Sequence, residues 1–245
     1  MALASIKRRL DRQVNNFVWL VRRKYVARKE KLAEGRQLFH WGRVNYLRTD
    51  LIRALLASYP SKSYLEIGCE NDRNFNAPSV ARKIGVDPAS GGTHRMTSDA
   101  FFATNTEKFD FVFIDGLHTY EQARRDVVNS LRFLEPGGII AIHDMLPASW
   151  EVEHVPRLHD IWTGTVWKVA YEIKERFGKK FGIVVANHGI GVIFNDLSSY
   201  EAFSSVEPER IKNLRFADFE RDHKNFNLVP VEKVADFVKQ RSYSS

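Results

Sequence analysis

The apolar runs SYLEIG at 63–68, KIGVD at 83–87, FDFVFID at 109–115 and GIIAIH at 138–143 decide the fold of this chain. A helical pattern from Tyr120 to Leu134 lies between the last two runs, and PGG at 136–138 ends it. Short apolar runs that alternate with helices are typical of βαβ units. We therefore predict parallel strands over Ser63–Gly68, Lys83–Asp87, Phe109–Asp115 and Gly138–His143, and a shorter strand near Arg95–Thr97.

Two further apolar runs, FGIVVA at 181–186 and IGVIF at 190–194, are separated by the three residues NHG. A three-residue connection that contains Gly predicts a hairpin, so the last strand runs antiparallel to its neighbour. A parallel sheet that closes with a hairpin departs from the dehydrogenase Rossmann pattern. The predicted fold class is α/β, with a Rossmann-like doubly wound sheet of seven strands, an antiparallel C-terminal hairpin strand and N-terminal helices.

The N-terminal segment is strongly basic. Residues 1–31 carry ten Lys and Arg against two acidic residues, while the whole chain has a net charge of +7. The pattern predicts a helix over residues 4–34 with an apolar stripe formed by Ile6, Leu10, Val14, Phe17, Val18, Val21 and Tyr25. We interpret it as an amphipathic helix that packs on the main domain or on a second copy of the chain. The alternative is a surface helix on anionic lipid, with the protein peripheral to a membrane. A second helix is predicted over residues 43–58.

Composition sets the remaining limits. The 245 residues are 44% apolar and 27% charged, as in ordinary globular proteins, and are enough for one large α/β domain. The single cysteine, Cys69, excludes an internal disulfide framework and a cysteine-built zinc site, which favours a cytoplasmic location. We divide the chain into a basic helical segment (1–60), a main domain (61–200) and a C-terminal extension packed on it (201–245).

Acidic and polar residues lie at the carboxyl ends of the predicted strands, at one edge of the sheet. They are Glu66, Gly68, Asp87, Asp115, His143 and Asp144. Ligands of doubly wound sheets bind beyond the carboxyl ends of the strands, and a strand core has no need of an unpaired carboxylate. Taken singly, Asp87 and Asp115 would also suit helix capping or turn formation. The set as a whole predicts a ligand site.

Several motifs carry a family resemblance. They are YLEIG (64–68), GVDP (85–88), HRMTSDAFF (94–102), FIDGLH (113–118), IHDMLP (142–147) and WTGTVWK (162–168). In order and spacing they resemble bacterial class I S-adenosylmethionine (SAM)-dependent methyltransferases that accompany glycan or natural-product pathways. The glycine loop departs from the usual Glu-x-Gly-x-Gly-x-Gly, because only Gly68 is present, and Asn71 is the residue expected to supply a positive φ.

SAM is therefore the expected cofactor. Gly68 allows a tight turn beneath it, and Glu66 orients that turn or approaches the amino group of the methionine part. Asp87, nineteen residues after Gly68, is expected to accept hydrogen bonds from the ribose hydroxyls. Ser98 and Asp99 are expected at the adenine edge, and Asp115 near the methyl donor.

Transfer of a methyl group to a hydroxyl requires alignment and removal of a proton. His143 is the first choice for the catalytic base, followed by His118, with Asp115 beside them. Alternatively, Asp115, His118, His143 and Asp144 hold Mg²⁺ or Mn²⁺, with Asp115 and Asp144 as the carboxylate ligands. The resemblance implies the same option. Trp150, Trp162 and Trp167 either stack on a sugar acceptor or belong to the core.

The predicted function is O-methylation of a hydroxyl on a sugar, glycan or other small metabolite. One alternative is an RNA methyltransferase or nucleic-acid-binding protein, suggested by the basic N-terminus. It ranks lower because the basic residues lie far in sequence from the predicted site. The other is a non-catalytic protein with a methyltransferase fold, consistent with the reduced glycine loop. The sequence leaves homo-oligomer formation open.

Overall fold

The computed structural model describes residues 2–30, 32, 37–58, 63–194, 203 and 208–242. Its sheet has the strand order β2-β1-β3-β4-β6-β5-β7. The strands are β1 (Ser63–Ile67), β2 (Arg82–Val86), β3 (Phe109–Ile114), β4 (Leu134–Ile142), β5 (Phe181–Val184), β6 (Ile190–Phe194) and β7 (Leu228–Val229). The first four are parallel, and β6 runs antiparallel to both β4 and β5. The predicted fold class is confirmed.

Helices cover both faces of the sheet. Those in the described residues are α1 (Ala2–Glu30), α2 (Arg48–Ser58), α3 (Ser98–Thr104), α4 (Tyr120–Arg132), α5 (Trp150–Glu153), α6 (Trp167–Phe177), α7 (Glu209–Lys212), α8 (Phe216–Asp222) and α9 (Val234–Ser242). Successive strand residues point to opposite faces, so Leu65 and Val112 pack on the side of α4 and α6. Tyr64 and Phe111 pack on the side of α2 and α9. The sheet is therefore buried between two apolar cores.

The seventh strand differs from the prediction. No strand forms at Arg95–Thr97, where only an isolated bridge joins His94 to Val86. The reason is that Thr97 caps α3, because its side chain accepts a hydrogen bond from the Ala100 N–H. Too few residues then remain between His94 and this cap to form a strand. The seventh strand is instead β7, which pairs parallel with β5. It belongs to the predicted C-terminal extension, so that extension completes the sheet. The three domain boundaries stay a prediction.

The prediction around Pro136 also needs correction. Helix α4 ends at Arg132, and β4 begins at Leu134, so the PGG residues lie inside the strand. The pairing of β3 with β4 shifts register there, between Phe109 and Phe111. Gly138 is required at this shift because a Cβ would stand 2.9 Å from the Asp110 carbonyl oxygen. Proline and glycine thus form an irregularity in the strand.

The N-terminal helix forms as predicted over Ala2–Glu30, but its apolar stripe faces away from the domain. Phe17 and Tyr25 are each 66% exposed, while Ala27, on the opposite side, is buried in the core. The prediction that the stripe packs on the main domain is therefore wrong. Residues 31 and 33–36 of the predicted helix, and the side chains of Ile6 and Leu10, lie outside the described part. Within that part, every helix is too short or too polar to span a lipid bilayer.

Candidate active site

A cavity of about 550 Å³ opens at the carboxyl ends of β1 to β4. Its wall combines the ends of these four strands with residues of α2, α3 and α4, and includes Arg48, Gly68, Glu70, Val86, Asp87, Ser98, Asp115, Leu117, His118, Gln122, His143 and Asp144. The volume lies within the range of small-molecule sites. The predicted rim of the sheet therefore surrounds a real cavity, which we call the rim cavity.

The loop after β1 has a single glycine, Gly68, yet turns tightly. Gly68 has φ of +84°, and a Cβ there would stand 2.0 Å from the Asp115 carbonyl oxygen, so only glycine lets β1 and β3 end side by side. The predicted positive φ at Asn71 is wrong, because Glu70 and Asp72 adopt it instead. The Asp72 carboxylate accepts a hydrogen bond of 2.6 Å from the Gly92 N–H. Side-chain carboxylates thus stabilise a turn that glycines usually form.

Asp87 is the other carboxylate that holds this loop. Its Oδ2 accepts from the N–H groups of Cys69 and Glu70, and its Oδ1 from those of Ala89 and Ser90. Burial acts to raise the pKa of Asp87, but these N–H groups outweigh it and lower the pKa. Asp87 therefore lines the rim cavity as a fixed carboxylate. A ribose hydroxyl that bonds to Asp87 would therefore share its carboxylate with these loop N–H groups. The exposed Glu70 side chain lies on the same wall of the cavity.

The two residues predicted at the adenine edge separate. Ser98 is buried and lines the rim cavity. Asp99 is exposed and lies outside the cavity wall, where it faces Arg125 at 3.4 Å and accepts a hydrogen bond from Gln122 Nε2 at 3.2 Å, so it contacts the wall only through Gln122. Sequence reasoning missed Gln122, whose Nε2 donates to Ser98 Oγ at 3.1 Å and to Asp126. Its place in the first turn of α4, directly after the FIDGLH motif, was the available signal.

Glu66 lies beneath the cavity and not in its wall. Its side chain is fully buried, and Oε2 accepts a 2.5 Å hydrogen bond from the Tyr64 hydroxyl. Oε1 has no hydrogen-bond partner among the described residues. Burial raises the pKa of Glu66 to about 8. The structure therefore does not support the predicted approach of Glu66 to the methionine amino group. Its position beneath the turn after β1 fits the other predicted role, which is to orient that turn.

Asp115, His118, His143 and Asp144 come together as predicted. His143 Nδ1 lies 3.1 Å from a carboxylate oxygen of both Asp115 and Asp144. Its Nε2 lies 2.7 Å from the Asn187 carbonyl oxygen and 2.9 Å from the Asn187 side-chain oxygen. Burial acts to lower the pKa of His143, but the two carboxylates raise it to about 10. Both nitrogens face acceptors, so this geometry leaves His143 no free lone pair and favours a positioning role; its role as the base stays a prediction.

Asp115 carries the opposite charge in this cluster. Burial alone would raise its pKa, but His143, His118 and Arg48 hold the pKa of Asp115 well below its usual range. Arg48, at the start of α2, pairs directly with its Oδ2. Sequence reasoning missed Arg48, because a helix outside the βαβ run reaches the rim only through tertiary packing.

Trp162, the first residue of the WTGTVWK motif, contacts His118. Its Nδ1 lies 2.7 Å from the Trp162 carbonyl oxygen, and its ring stacks on the Trp162 ring at 5.5 Å. Burial acts to lower the pKa of His118, but the Asp115 and Asp144 carboxylates raise it. Trp162 therefore positions His118, whereas Trp150 and Trp167 are buried core residues.

One subset of this cluster suits a cation. Ligand atoms of Asp115, His118 and Asp144 lie within 4.8 Å of one another. Nδ1 of His118 lies 2.7 Å from the Trp162 carbonyl oxygen and 3.1 Å from an Asp144 oxygen, and Nε2 lies 3.5 Å from Asp115. A carbonyl contact at one ring nitrogen is the usual way in which proteins orient a histidine ligand through the other. Two carboxylates and one imidazole fit Mg²⁺ or Mn²⁺. His143 does not belong to the group, although the sequence predicted it there.

The hairpin between β5 and β6 contributes a side that the sequence did not reveal. Asn187 and His188 both have positive φ, and the Gly189 N–H donates to the Ala186 carbonyl, which forms a two-residue turn. The turn is fixed to the segment after β4, because the Leu146 N–H donates to the His188 carbonyl. The His188 ring packs edge-on to His143 at 6.2 Å. Sequence reasoning gave His188 no role.

A second cavity of about 1000 Å³ begins on the far side of His188. Phe39 and Trp41 line it and stack on each other at 4.9 Å, and Trp41 contacts the His188 ring at 5.7 Å. Arg23 Nε, Trp41 Nε1 and His188 Nδ1 are buried without a hydrogen-bond partner among the described residues. Leaving buried polar groups unpaired is costly, and the three residues that carry these atoms line this cavity. We call this the aromatic cavity.

Comparison with known proteins supports the predicted resemblance. Residues 55–145, which include β1 to β4 and the Asp115, His118, His143 and Asp144 cluster, match a family model described as a methyltransferase domain. The match covers 91 of the 245 residues, and the sheet order agrees with the class I methyltransferase resemblance. The glycan or natural-product type remains a prediction. No curated protein matches the chain.

Several solved methyltransferase structures are similar to it. The N-methyltransferase NodS from Bradyrhizobium japonicum WM9 is 17% identical over 60% of this chain and 93% of that one, with a TM-score of 0.39. The O-methyltransferase from Bacillus cereus, in complex with S-adenosylhomocysteine, is 14% identical over 74% and 91%, with a TM-score of 0.43. Phosphoethanolamine N-methyltransferase 1 from Haemonchus contortus is 13% identical over 73% and 48%, with a TM-score of 0.46. Similarity at this level carries no argument about the substrate.

Proposed function

We propose that this protein is a SAM-dependent O-methyltransferase acting on a hydroxyl of a sugar, glycan or other small metabolite. The observation that carries the proposal is the meeting of two cavities at one cluster. The rim cavity and the aromatic cavity lie on either side of His143 and the Asn187–His188 turn. Methyl transfer needs direct contact, so an acceptor bound in the aromatic cavity would extend its hydroxyl past this cluster to the methyl donor in the rim cavity.

The rim cavity fits the parts of SAM. Val86 and Leu117 offer apolar walls for the adenosyl group, with Ser98 and Gln122 as polar contacts for the adenine. Asp87 and Glu70 would accept from the ribose hydroxyls. The Arg48 guanidinium is the cation available to the methionine carboxylate. When bound, SAM supplies an electrophilic methyl group, and the protein's task is alignment and proton removal.

His188 is the proposed base in place of His143. It lines the aromatic cavity, and its Nδ1 has no partner among the described residues. Burial lowers the pKa of His188, so its ring is neutral near pH 7. His143 donates to Asn187 and keeps the turn in position. A neutral imidazole beside the acceptor would remove the hydroxyl proton.

The cation prediction is kept within this proposal. Asp115, His118 and Asp144 would hold Mg²⁺ or Mn²⁺, and such an ion lowers the pKa of a hydroxyl that it contacts. The protein residues would fix the position of that hydroxyl relative to His188.

The aromatic cavity favours a sugar ring as the acceptor. The stacked Phe39 and Trp41 rings offer a flat face, on which the C–H face of a sugar packs well. Arg43 and Asn45 line the same cavity and offer hydrogen bonds to hydroxyl groups.

Calorimetric titration with SAM and S-adenosylhomocysteine tests the cofactor site. We expect wild type to bind both, Asp87→Ala to lose binding, and Glu70→Ala to bind about tenfold more weakly, the loss of one good hydrogen bond to a charged group. Glu232→Ala is the matched control, because its exposed carboxylate lies outside the wall. Circular dichroism shows whether each variant is folded. Failure of folded wild type to bind either ligand would contradict the proposal and favour a non-catalytic protein.

A further inference from the structure

The exposed face of α1 is unusual for a domain surface. Val14, Phe17, Val18, Val21 and Tyr25 recur at three- and four-residue steps and are all exposed. The opposite side of the helix faces the domain. Ala27 is buried there, and the Arg157 guanidinium packs over the Trp19 ring at 5.5 Å. The helix is thus fixed by one side and presents a continuous apolar strip on the other.

Cationic side chains border this strip on both sides. Arg22 and Lys29, seven residues apart, lie along one border, and Lys24 and Arg28, four residues apart, lie along the other. All four are exposed. Long cationic side chains can extend sideways from an apolar surface and keep their charged ends in water. The arrangement therefore suits an interface with apolar groups below and anions at the level of the charges.

We propose that α1 lies flat on an anionic phospholipid surface, with the Val14–Tyr25 strip in the boundary between headgroups and acyl chains. The 29 residues give a helix about 43 Å long, too polar to span a bilayer but suited to lying in its plane. A second copy of the chain fits less well, because residues 1–31 carry ten cations and two acids, and two such segments repel each other. The proposal is independent of methyl transfer.

Co-sedimentation of the full chain with lipid vesicles tests this proposal. We expect binding to phosphatidylcholine vesicles with about 30% phosphatidylserine, and at least about tenfold weaker binding to pure phosphatidylcholine. Phe17→Ser with Val21→Ser should weaken binding at least about tenfold, and so should Arg22→Gln with Lys29→Gln. The matched control is Lys224→Gln with Lys239→Gln, which removes the same charge from exposed residues elsewhere and should change binding less than about twofold.

Two outcomes would overturn the proposal. One is absence of vesicle binding by wild type, or equal binding to neutral and anionic vesicles. The other is a dimer in sedimentation velocity that Phe17→Ser with Val21→Ser dissociates while vesicle binding is absent, which would assign the strip to a second copy. The substituted side chains are exposed, so we expect unchanged circular dichroism and thermal unfolding, which separates a lost surface from a lost fold.

Discussion

The buried carboxyl group of Glu66 makes the stability of this protein depend on pH in a predictable way. In the unfolded chain its pKa is close to 4.5, whereas burial raises the pKa to about 8 in the folded protein. A raised pKa means that the folded state binds a proton that the unfolded state releases. The wild-type free energy of unfolding therefore falls as pH rises from 4.5 towards 8.

The size of the effect follows from the pKa difference. Each pKa unit corresponds to about 1.4 kcal/mol, so holding Glu66 protonated at pH 7 costs roughly 3 kcal/mol of folding free energy. Glu66→Gln removes this cost. It also replaces the unpartnered Oε1 by an amide group, which costs about 1–3 kcal/mol if it too stays unpaired. We expect the variant to be less stable than wild type near pH 5 and more stable near pH 8.

Equilibrium unfolding in urea across this pH range measures the difference between variant and wild type. The expected slope is about 1.4 kcal/mol per pH unit in favour of Glu66→Gln. Asp99→Asn, an exposed carboxylate, is the control and should give a difference that hardly changes with pH. A constant difference for Glu66→Gln would refute the reasoning, since Glu66 would then ionise at its ordinary pKa. Because Glu66 lies outside the cavity wall, the affinity of the Glu66→Gln variant for S-adenosylhomocysteine should remain within about twofold of wild type.

Two further predictions concern the cluster itself. His188→Gln should lower kcat about 100-fold, which is the usual effect of losing a general base. Calorimetry should show an S-adenosylhomocysteine affinity near that of wild type. A variant with the wild-type kcat would exclude His188 as the base. Asp144→Asn should weaken Mn²⁺ binding at least about tenfold, because it removes one of the two proposed carboxylate ligands. Electron paramagnetic resonance measures the affinity, and the control Asp99→Asn should leave it unchanged. Equal affinity in wild type and both variants would mean that Mn²⁺ binds elsewhere.

Local sequence patterns predicted the centre of the fold well. The strands at 63–67, 82–86 and 109–114 match the predicted runs to within one residue, because buried parallel strands are near-continuous apolar segments. The edges were not predictable in this way. Leu228–Val229 is only two residues long and becomes a strand through pairing with β5, whereas Arg95–Thr97 lost its strand to the cap of α3.

The candidate site divides in the same manner. Residues at the carboxyl ends of predicted strands, such as Asp87, Asp115 and Asp144, reach the rim cavity because strand direction alone brings them there. Arg48 and His188 reach the cluster from a helix and a hairpin whose docking depends on the whole core. The hydrogen bonds of His143 were unpredictable for a related reason. Its neighbours, not its residue type, decide which nitrogen carries a proton.

The contacts of His143 explain why a histidine with both ring nitrogens engaged belongs at the end of β4. One nitrogen donates toward the carboxylates of Asp115 and Asp144, and the other donates toward Asn187. A single imidazolium thus joins the ends of two strands to the hairpin turn and compensates two buried carboxylates, whose burial without a partner would be costly. The same turn sets the position of His188 at the aromatic cavity. Loss of His143 would therefore disturb the acid cluster and the proposed base together, whereas loss of His188 would remove the proposed base alone.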